Sequence, residues 1–241
     1  MKDVIDLHTH TLASGHAYGT IKEQIEAGKE RGLELLGITE HAPSMPGSCN
    51  KIYFENIGAM PNTVDGLQVL YGAEVNILDS YGRVDLSQST LKKMDVVIAS
   101  LHIPCYAVGS KEENTRAYLN VMKNPYVNII GHPDDARFPV DYRAIVEEAR
   151  KRNILLEVNN SSMSKTSYRE NASELYMELL NLCKIYETPV IMGSDAHTSF
   201  FVGAHENAVS ILKKVEFPEE LIVNSSVESV KKYLNYYKKF A

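Results

Sequence analysis

Three histidines, His8, His10 and His16, fall within the stretch DLHTHTLASGHAYGT, and His41 follows in ITEHAP. Half of the chain's eight histidines therefore lie in its first 41 residues. Further along, Glu74 stands in GAEVN, His102 in ASLH, His132 in IGHP, and Asp195 and His197 in GSDAH. Imidazole and carboxylate together are the ligand set of zinc, manganese or iron rather than of calcium or magnesium. A lone histidine is more often a hydrogen-bonding residue than a ligand. Here seven of the eight histidines share one pattern with two carboxylates beside them, and that points to metal. The eighth, His205 in AHENAV, is read as a helix N-terminal or surface histidine.

Nine candidate ligands are too many for one tetrahedral ion, which takes three or four protein groups. They suit three divalent ions, each with about three protein groups and an open position, joined by a bridging carboxylate. Open positions on a multi-metal centre hold water, which implies hydrolysis. Three such ions bring about six positive charges, of which Glu74, Asp195 and a bridging hydroxide cancel about three. A phosphate monoester dianion satisfies such a site, whereas a neutral amide leaves it over-charged. Phosphoester hydrolysis by a metal-bridging hydroxide is the chemistry expected. Glu74, Asp195, His102 and His132 would hold and activate that hydroxide.

Positioning these groups falls to a rhythm of short β-branched runs alternating with helical patterns. DVIDLH, LELLGITEH, LQVLYGAEVNI, MDVVIASLH, YVNIIGHP, ILLEVNNSS and PVIMGSDAH read as seven strands. Helical patterns run over TIKEQIEAGKERG, DYRAIVEEARKRN with Asp141 as N-cap, ASELYMELLNLCKIYE, HENAVSILKKV and SVESVKKYLNYYKKF. A hairpin signal stands at Tyr81-Gly82. PSMPGSCNKIYFENIGAMPNTV and IPCYAVGSKEENTR read as loops of a pocket wall. Every strand ends in a metal-capable or hydrogen-bonding side chain, the sixth in Asn159 and Asn160. With a side-chain period of two, His8 and His10 point the same way, as do Asp195 and His197. Strand C-terminal ends are where α/β barrels build their sites. A seven-stranded α/β barrel is expected; a doubly wound sheet is the alternative, but no GxGxxG follows the first strand.

Composition is that of one globular domain, 1–241, with 44% apolar and 23% charged residues. A net charge of −6 offers no general attraction to nucleic acid or anionic membrane. No apolar run approaches a membrane span, and MKDVIDLH lacks a signal-peptide core. Cys49, Cys105 and Cys183 form no CxxC and read as reduced, buried thiols of a cytoplasmic protein.

The combined set DLHTHT, SGHA, ITEH, GAEVN, ASLH, IGHP, LEVNNSS and GSDAH resembles the PHP (polymerase and histidinol phosphatase) superfamily, in its YcdX-type bacterial phosphatase branch. The resemblance implies a distorted (β/α)7, TIM-like barrel with a trinuclear centre at the strand C-terminal ends, usually of zinc, with manganese or iron as alternatives. It implies that His8, His10, Glu74 and Asp195 hold the first ion. Glu74 would bridge to a second ion on His102 and His132, and His16, His41 and His197 would hold the third. Asp6 is either a group that orients an imidazole or a buried hydrogen-bonding residue of the barrel. Asn159, Asn160 and Ser161 are candidates for phosphate contact or for rim capping. Arg116, Arg137 and Arg169 lie near the rim, with none singled out.

Competing readings are weaker. An amidohydrolase would offer a Lys at a mid-barrel strand end, and a polymerase-accessory role would need a basic groove. A non-catalytic metal store would close its coordination, often with thiolates. Histidinol-phosphate phosphatase is the near alternative. The partner expected is a small phosphorylated substrate, without nucleic acid or membrane, and a homo-oligomer is compatible.

Overall fold

A computed structural model describes residues 2–239. Seven parallel strands carry the fold: β1 (Ile5–Asp6), β2 (Leu35–His41), β4 (Leu67–Asn76), β5 (Val97–Ser100), β6 (Ile129–Ile130), β7 (Leu155–Asn159) and β8 (Val190–Gly193). They pair in that order, and β3 (Thr63–Val64) adds an antiparallel edge to β4. Helices α1 (Ile21–Glu30), α2 (Lys51–Glu55), α3 (Gln88–Leu91), α4 (Lys111–Val121), α5 (Tyr142–Arg152), α6 (Ala172–Tyr186) and α7 (Glu206–Lys214) connect the strands or follow the last of them. The sheet is nearly closed into a distorted TIM-like barrel.

Closure between β1 and β8 is irregular. One parallel bridge, Thr9 to Ala196, joins the two chains at the top. Lower down, Asn224 fills the gap: its amide donates to Ile5 O at 2.8 Å and Met192 O at 3.0 Å, and accepts from Met192 N at 2.8 Å. One side-chain amide thus stands in for a missing rung of the ladder.

Alternation along the strands sorts the interior. Leu35, Leu70, Val96, Ile98, Leu155 and Ile191 pack together in one buried cluster, floored by Val230, Tyr233 and Leu234 of the C-terminal segment. Their neighbours Leu36, Ile38, Val69, Tyr71, Leu156 and Met192 face the helices in the larger core. Two residues further up the same inward rows come the polar groups: Glu74 above Gly72, Glu157 above Leu155, Asp195 above Gly193.

Several expectations change. The segment read as the loop IPCYAVGSKEENTR is half helix: α4 starts at Ser110, whose hydroxyl accepts from Glu113 N while Glu113 caps Ser110 N. Its sparse apolar face, Ala117, Tyr118 and Val121, made the periodicity weak, but the S-x-x-E capping box was present. The other loop contains α2 and β3, with Asp65 and Gly66 both at positive φ in the hairpin turn. The pattern at 226–240 is not one helix but two, α8 (Val227–Val230) and α9 (Asn235–Lys238). The chain leaves the helix so that Tyr233 O and Asn235 Oδ1 can accept from the buried Asn128 amide at 2.7 and 3.0 Å. Phe240 of that pattern lies outside the described residues. Cys183 is buried, but Cys49 and Cys105 are only partly so; all three are free thiols. No helix among the described residues is long and apolar enough to cross a membrane.

Candidate metal centre

Strand register assembles the site. β2 and β4 pair so that His41 lies directly beside Glu74. Glu74 is fully buried, and five imidazoles surround its carboxylate. His41 Nδ1 stands 2.7 Å from Oε2, His8 Nε2 3.4 Å and His10 Nε2 3.6 Å. His132 Nε2 and His102 Nε2 are 2.8 and 3.2 Å from Oε1. Asp195 Oδ1 lies 3.3 Å from His10 Nε2 and 3.6 Å from His8 Nε2. At the outer edge His16 and His197 meet Nε2 to Nε2 at 3.2 Å. All nine residues singled out in the sequence therefore converge on one cluster. Two of them sit in left-handed backbone, His132 at φ 26° and Asp195 at φ 54°, a conformation unfavourable for side chains with a Cβ. At His132 the turn also brings in a side chain whose position, next to the inward Ile129 by an odd step, would otherwise face the helices.

A metal fits this geometry. Buried Glu74 Oε2, His8 Nε2, His10 Nε2 and His41 Nδ1 have no hydrogen-bond partner among the described residues. Leaving such groups unpaired in the interior costs about 1–3 kcal/mol each. Oε2 and His41 Nδ1 approach to 2.7 Å without hydrogen-bond geometry, as two acceptors sharing a cation would. Three overlapping groups have donor atoms close enough to share an ion: His8, His10 and Glu74; His41, Glu74 and His102; and His10, His41 and His197.

Four imidazoles are held by oxygens that face Nδ1. Glu157 Oε1 accepts from His8 Nδ1 at 2.7 Å and Asn76 Oδ1 from His102 Nδ1 at 2.7 Å. His197 Nδ1 donates to Asp195 O at 3.0 Å. For His10 the partner is Ser14 Oγ at 3.1 Å. That hydroxyl gives its proton to Glu40 Oε2 at 2.6 Å, so it accepts from His10. Each of the four thus carries a proton on Nδ1 and turns Nε2 to the cluster. Glu157, Glu40, Asn76 and Ser14 escaped the sequence reading. The period-two row that held Glu74 and Asp195 was the available signal for Glu157.

Protonation follows surroundings. Burial, with His41 and His197 nearby, holds His10 well below the usual imidazole range. Partial burial and the same neighbours bring His16 down to about 4. Burial also lowers His102. For His8 burial is outweighed by Glu157, Glu74 and Asp195, which raise it well above its ordinary value. Burial of Glu74 is likewise outweighed, by His102, His8 and His41, so it stays ionised. His10, His16 and His102 are thus held neutral beside an ionised Glu74, as cation binding needs, while His8 must give up a proton to bind.

Other expectations resolve locally. Asp6 touches no imidazole of the cluster; it accepts from Ser194 N and Oγ, Gly203 N and His8 N, as a buried residue of the barrel seam. His205 is at the start of α7 but not on the surface: it is buried, with Nδ1 2.8 Å from Asp3 and Nε2 3.7 Å from Asp6. Two carboxylates required a cation there, and their sequence distance hid the pairing. Asn160 caps α7, accepting from Asn207 N and Ala208 N. Asn159 instead faces inward, donating to Glu157 Oε2 and Asp195 Oδ2. Arg116 is exposed on α4, whereas Arg137 and Arg169 line a cavity of about 490 Å³ that opens over His16, His41, His102, His132 and His197.

The PHP domain model matches residues 6–161, which span the first strand through the Asn159–Ser161 rim. The chain belongs to the PHP family. It is 44% identical over 234 residues to a probable phosphatase of Clostridium botulinum, covering 97% of this chain and 95% of the relative. It is 42% identical to a probable phosphatase of Caldanaerobacter subterraneus, covering 96% and 91%. Among solved structures, the histidinol phosphate phosphatase of Lactococcus lactis, complexed with zinc, L-histidinol and phosphate, superposes with a TM-score of 0.61 at 18% identity. That match covers 90% of this chain and 95% of the other, and supports the shared PHP barrel alone.

Proposed function

We propose that this PHP protein hydrolyses small phosphate monoesters at a centre of three divalent ions, zinc first, with manganese or iron as alternatives. The observation that carries the reading is Glu74: one buried carboxylate faces five imidazoles, and its Oε2 has no hydrogen-bond partner among the described residues. The probable-phosphatase relatives support the same class of enzyme.

His8, His10, Glu74 and Asp195 would hold one ion, Glu74 with His102 and His132 a second, and His16, His41 and His197 a third. Donors are shared between the close groups, which suits ions packed side by side. Bound ions supply Lewis acidity and hydroxide at neutral pH. The chain's residues do the rest. Glu157, Asn76 and Ser14 lock the tautomers that keep Nε2 free. Arg169 is 8% exposed, paired with Asp195 at 3.6 Å and donating from Nη1 to Ser162 Oγ at 2.8 Å. It also lines the cavity, which suits a guanidinium that meets a phosphoryl oxygen. In the net reaction the oxygen of water bonds to phosphorus, the ester P–O bond breaks, and the products are an alcohol and inorganic phosphate. A chain of net charge −6 that concentrates positive charge in one cavity suits a small anionic substrate better than nucleic acid.

The test is metal analysis of the purified protein together with phosphate release from a panel of monoesters that includes histidinol phosphate. About three ions per chain with turnover is expected, and His41→Ala should lose both an ion and turnover. Full activity and metal content in His41→Ala would overturn the assignment.

A further inference from the structure

The lining of the cavity above the histidines has two characters. Met45, Pro46, Leu101, Ile103 and Pro104 give it an apolar part. Arg137, Tyr168 and Arg169 give it a cationic and aromatic part. The Arg137 guanidinium lies 4.7 Å from the centroid of the Tyr168 ring, and that of Arg169 5.4 Å from it. Tyr168 is thus the spacer that sets two cations on its ring.

Asp135 also lines the cavity but offers it no negative charge. It is 4% exposed, and its oxygens accept from Arg137 N, Nε and Nη2 at 2.6–3.2 Å. The Arg137 side chain of the same pair is 40% exposed. No described residue takes a hydrogen bond from its Nη1. The fork therefore works as a bracket, holding the guanidinium by one edge and leaving the other to the cavity. Asp195, the remaining acid of the lining, is turned to His8 and His10. Away from the metal cluster, the charged groups open to the cavity are cations.

We infer that this wall selects phosphate monoesters whose leaving group carries a second anionic group, a carboxylate or a further phosphate, on an apolar or aromatic body. The inference rests on the phosphomonoesterase reading and adds where the rest of the substrate goes. The phosphoryl group lies toward the histidines and Arg169, the body between Ile103 and Tyr168, and the second anion at Arg137. A cationic leaving group meets Arg137 and finds no free carboxylate.

Two esters of similar size and opposite charge separate the cases: 4-carboxyphenyl phosphate and 4-(aminomethyl)phenyl phosphate, assayed on the metal-loaded protein. In the wild type kcat/KM should favour the carboxylate by at least about tenfold, the worth of one charge-assisted hydrogen bond, with the difference mainly in KM. In Arg137→Gln the ratio should fall to about threefold or invert, because Asp135 is then released. Tyr168→Ala, which removes the ring but keeps both arginines, should lower the ratio as well. A wild-type ratio below about threefold, or an unchanged ratio in Arg137→Gln, refutes the anionic-tail inference while leaving the phosphatase reading standing. If neither these esters nor any of the monoester panel is hydrolysed, the phosphatase reading itself fails and this inference goes with it.

Discussion

Glu157→Gln tests how the centre keeps its ligands ready. Glu157 is 1% exposed and sits between two glycines; a Cβ on Gly193 would come within 2.1 Å of its Oε1 and one on Gly131 within 3.6 Å of its Oε2. The carboxylate therefore has no room to swing, and a glutamine must take its place atom for atom. Oε2 accepts from His132 N at 2.8 Å and from Asn159 Nδ2 at 3.1 Å. An amide NH2 placed there would face two donors, losing two buried hydrogen bonds at about 1–3 kcal/mol each. The cheaper choice puts the NH2 at Oε1, opposite His8 Nδ1. His8 must then accept on Nδ1 and carry its proton on Nε2, the atom aimed at the cluster. A ligand held in the wrong tautomer weakens metal binding by about 10–100-fold, or about 1.4–2.7 kcal/mol. The assay is competition for zinc against a chromophoric chelator, alongside the far-ultraviolet circular dichroism of the apo form. ¹⁵N chemical shifts of the His8 ring report the tautomer directly. A folded Glu157→Gln protein with wild-type metal affinity and His8 still protonated on Nδ1 would refute the reasoning.

Chelating the metals should lower the melting temperature by about 5–10 °C for each ion removed, since each ion at about a hundred times its dissociation constant adds about 2.7 kcal/mol to a chain of this size; differential scanning calorimetry with and without chelator measures it, and equal transitions would argue against bound ions at the cluster. Metal uptake at pH 7 should release protons, because in the apo protein burial of His8 is outweighed by Glu157, Glu74 and Asp195, which keep it protonated above its ordinary value of 6.5. Calorimetric titration in buffers of different ionisation enthalpy counts those protons, and a count of zero contradicts the assignment. Burial of His205 is outweighed by Asp3 and Asp6, which lift it from 6.5 to about 10, so its contribution to stability is complete below pH 6.5 and disappears as pH rises through about 10. His205→Gln should accordingly lose most stability at pH 6, with the gap to the wild type narrowing toward pH 10; a pH-independent gap in denaturant midpoints would show that the ion pairs do not carry it.

The barrel was legible because its strands are short β-branched runs with turn residues between them, and the ligands because they sit where those runs stop. Position in a strand, rather than residue type alone, separated His41 and His132 from His205. The supporting groups were harder to see. Glu40 and Glu157 lie inside strands, and the hydrogen bonds that tie them to the site come from Thr11 and Ser14, 26–29 positions away, and from His132 and His8, 25 and 149 positions away, which no local pattern reports. Ser14 lies in the short stretch TLASG between His10 and His16, with nothing local to mark it, yet it ties His10, Glu40 and His41 N together. The hidden helix α4 shows the same limit from the other side: its buried face is small, and the capping box was the stronger signal. The break at residues 231–234 depends on Asn128, more than a hundred residues away, and no periodicity within the segment can express it.

The irregular seam between the first and last strands has a consequence for how the molecule is made. His8 and His10 are made well before Asp195, His197 and the seam residue Asn224. An ion that takes Asp195 or His197 as a donor would lack its full complement until those residues are made, and the seam closes once Asn224 bridges Ile5 and Met192. Loading of those positions would therefore follow synthesis of the last strand, whereas Glu74, His102 and His132 would be in place earlier.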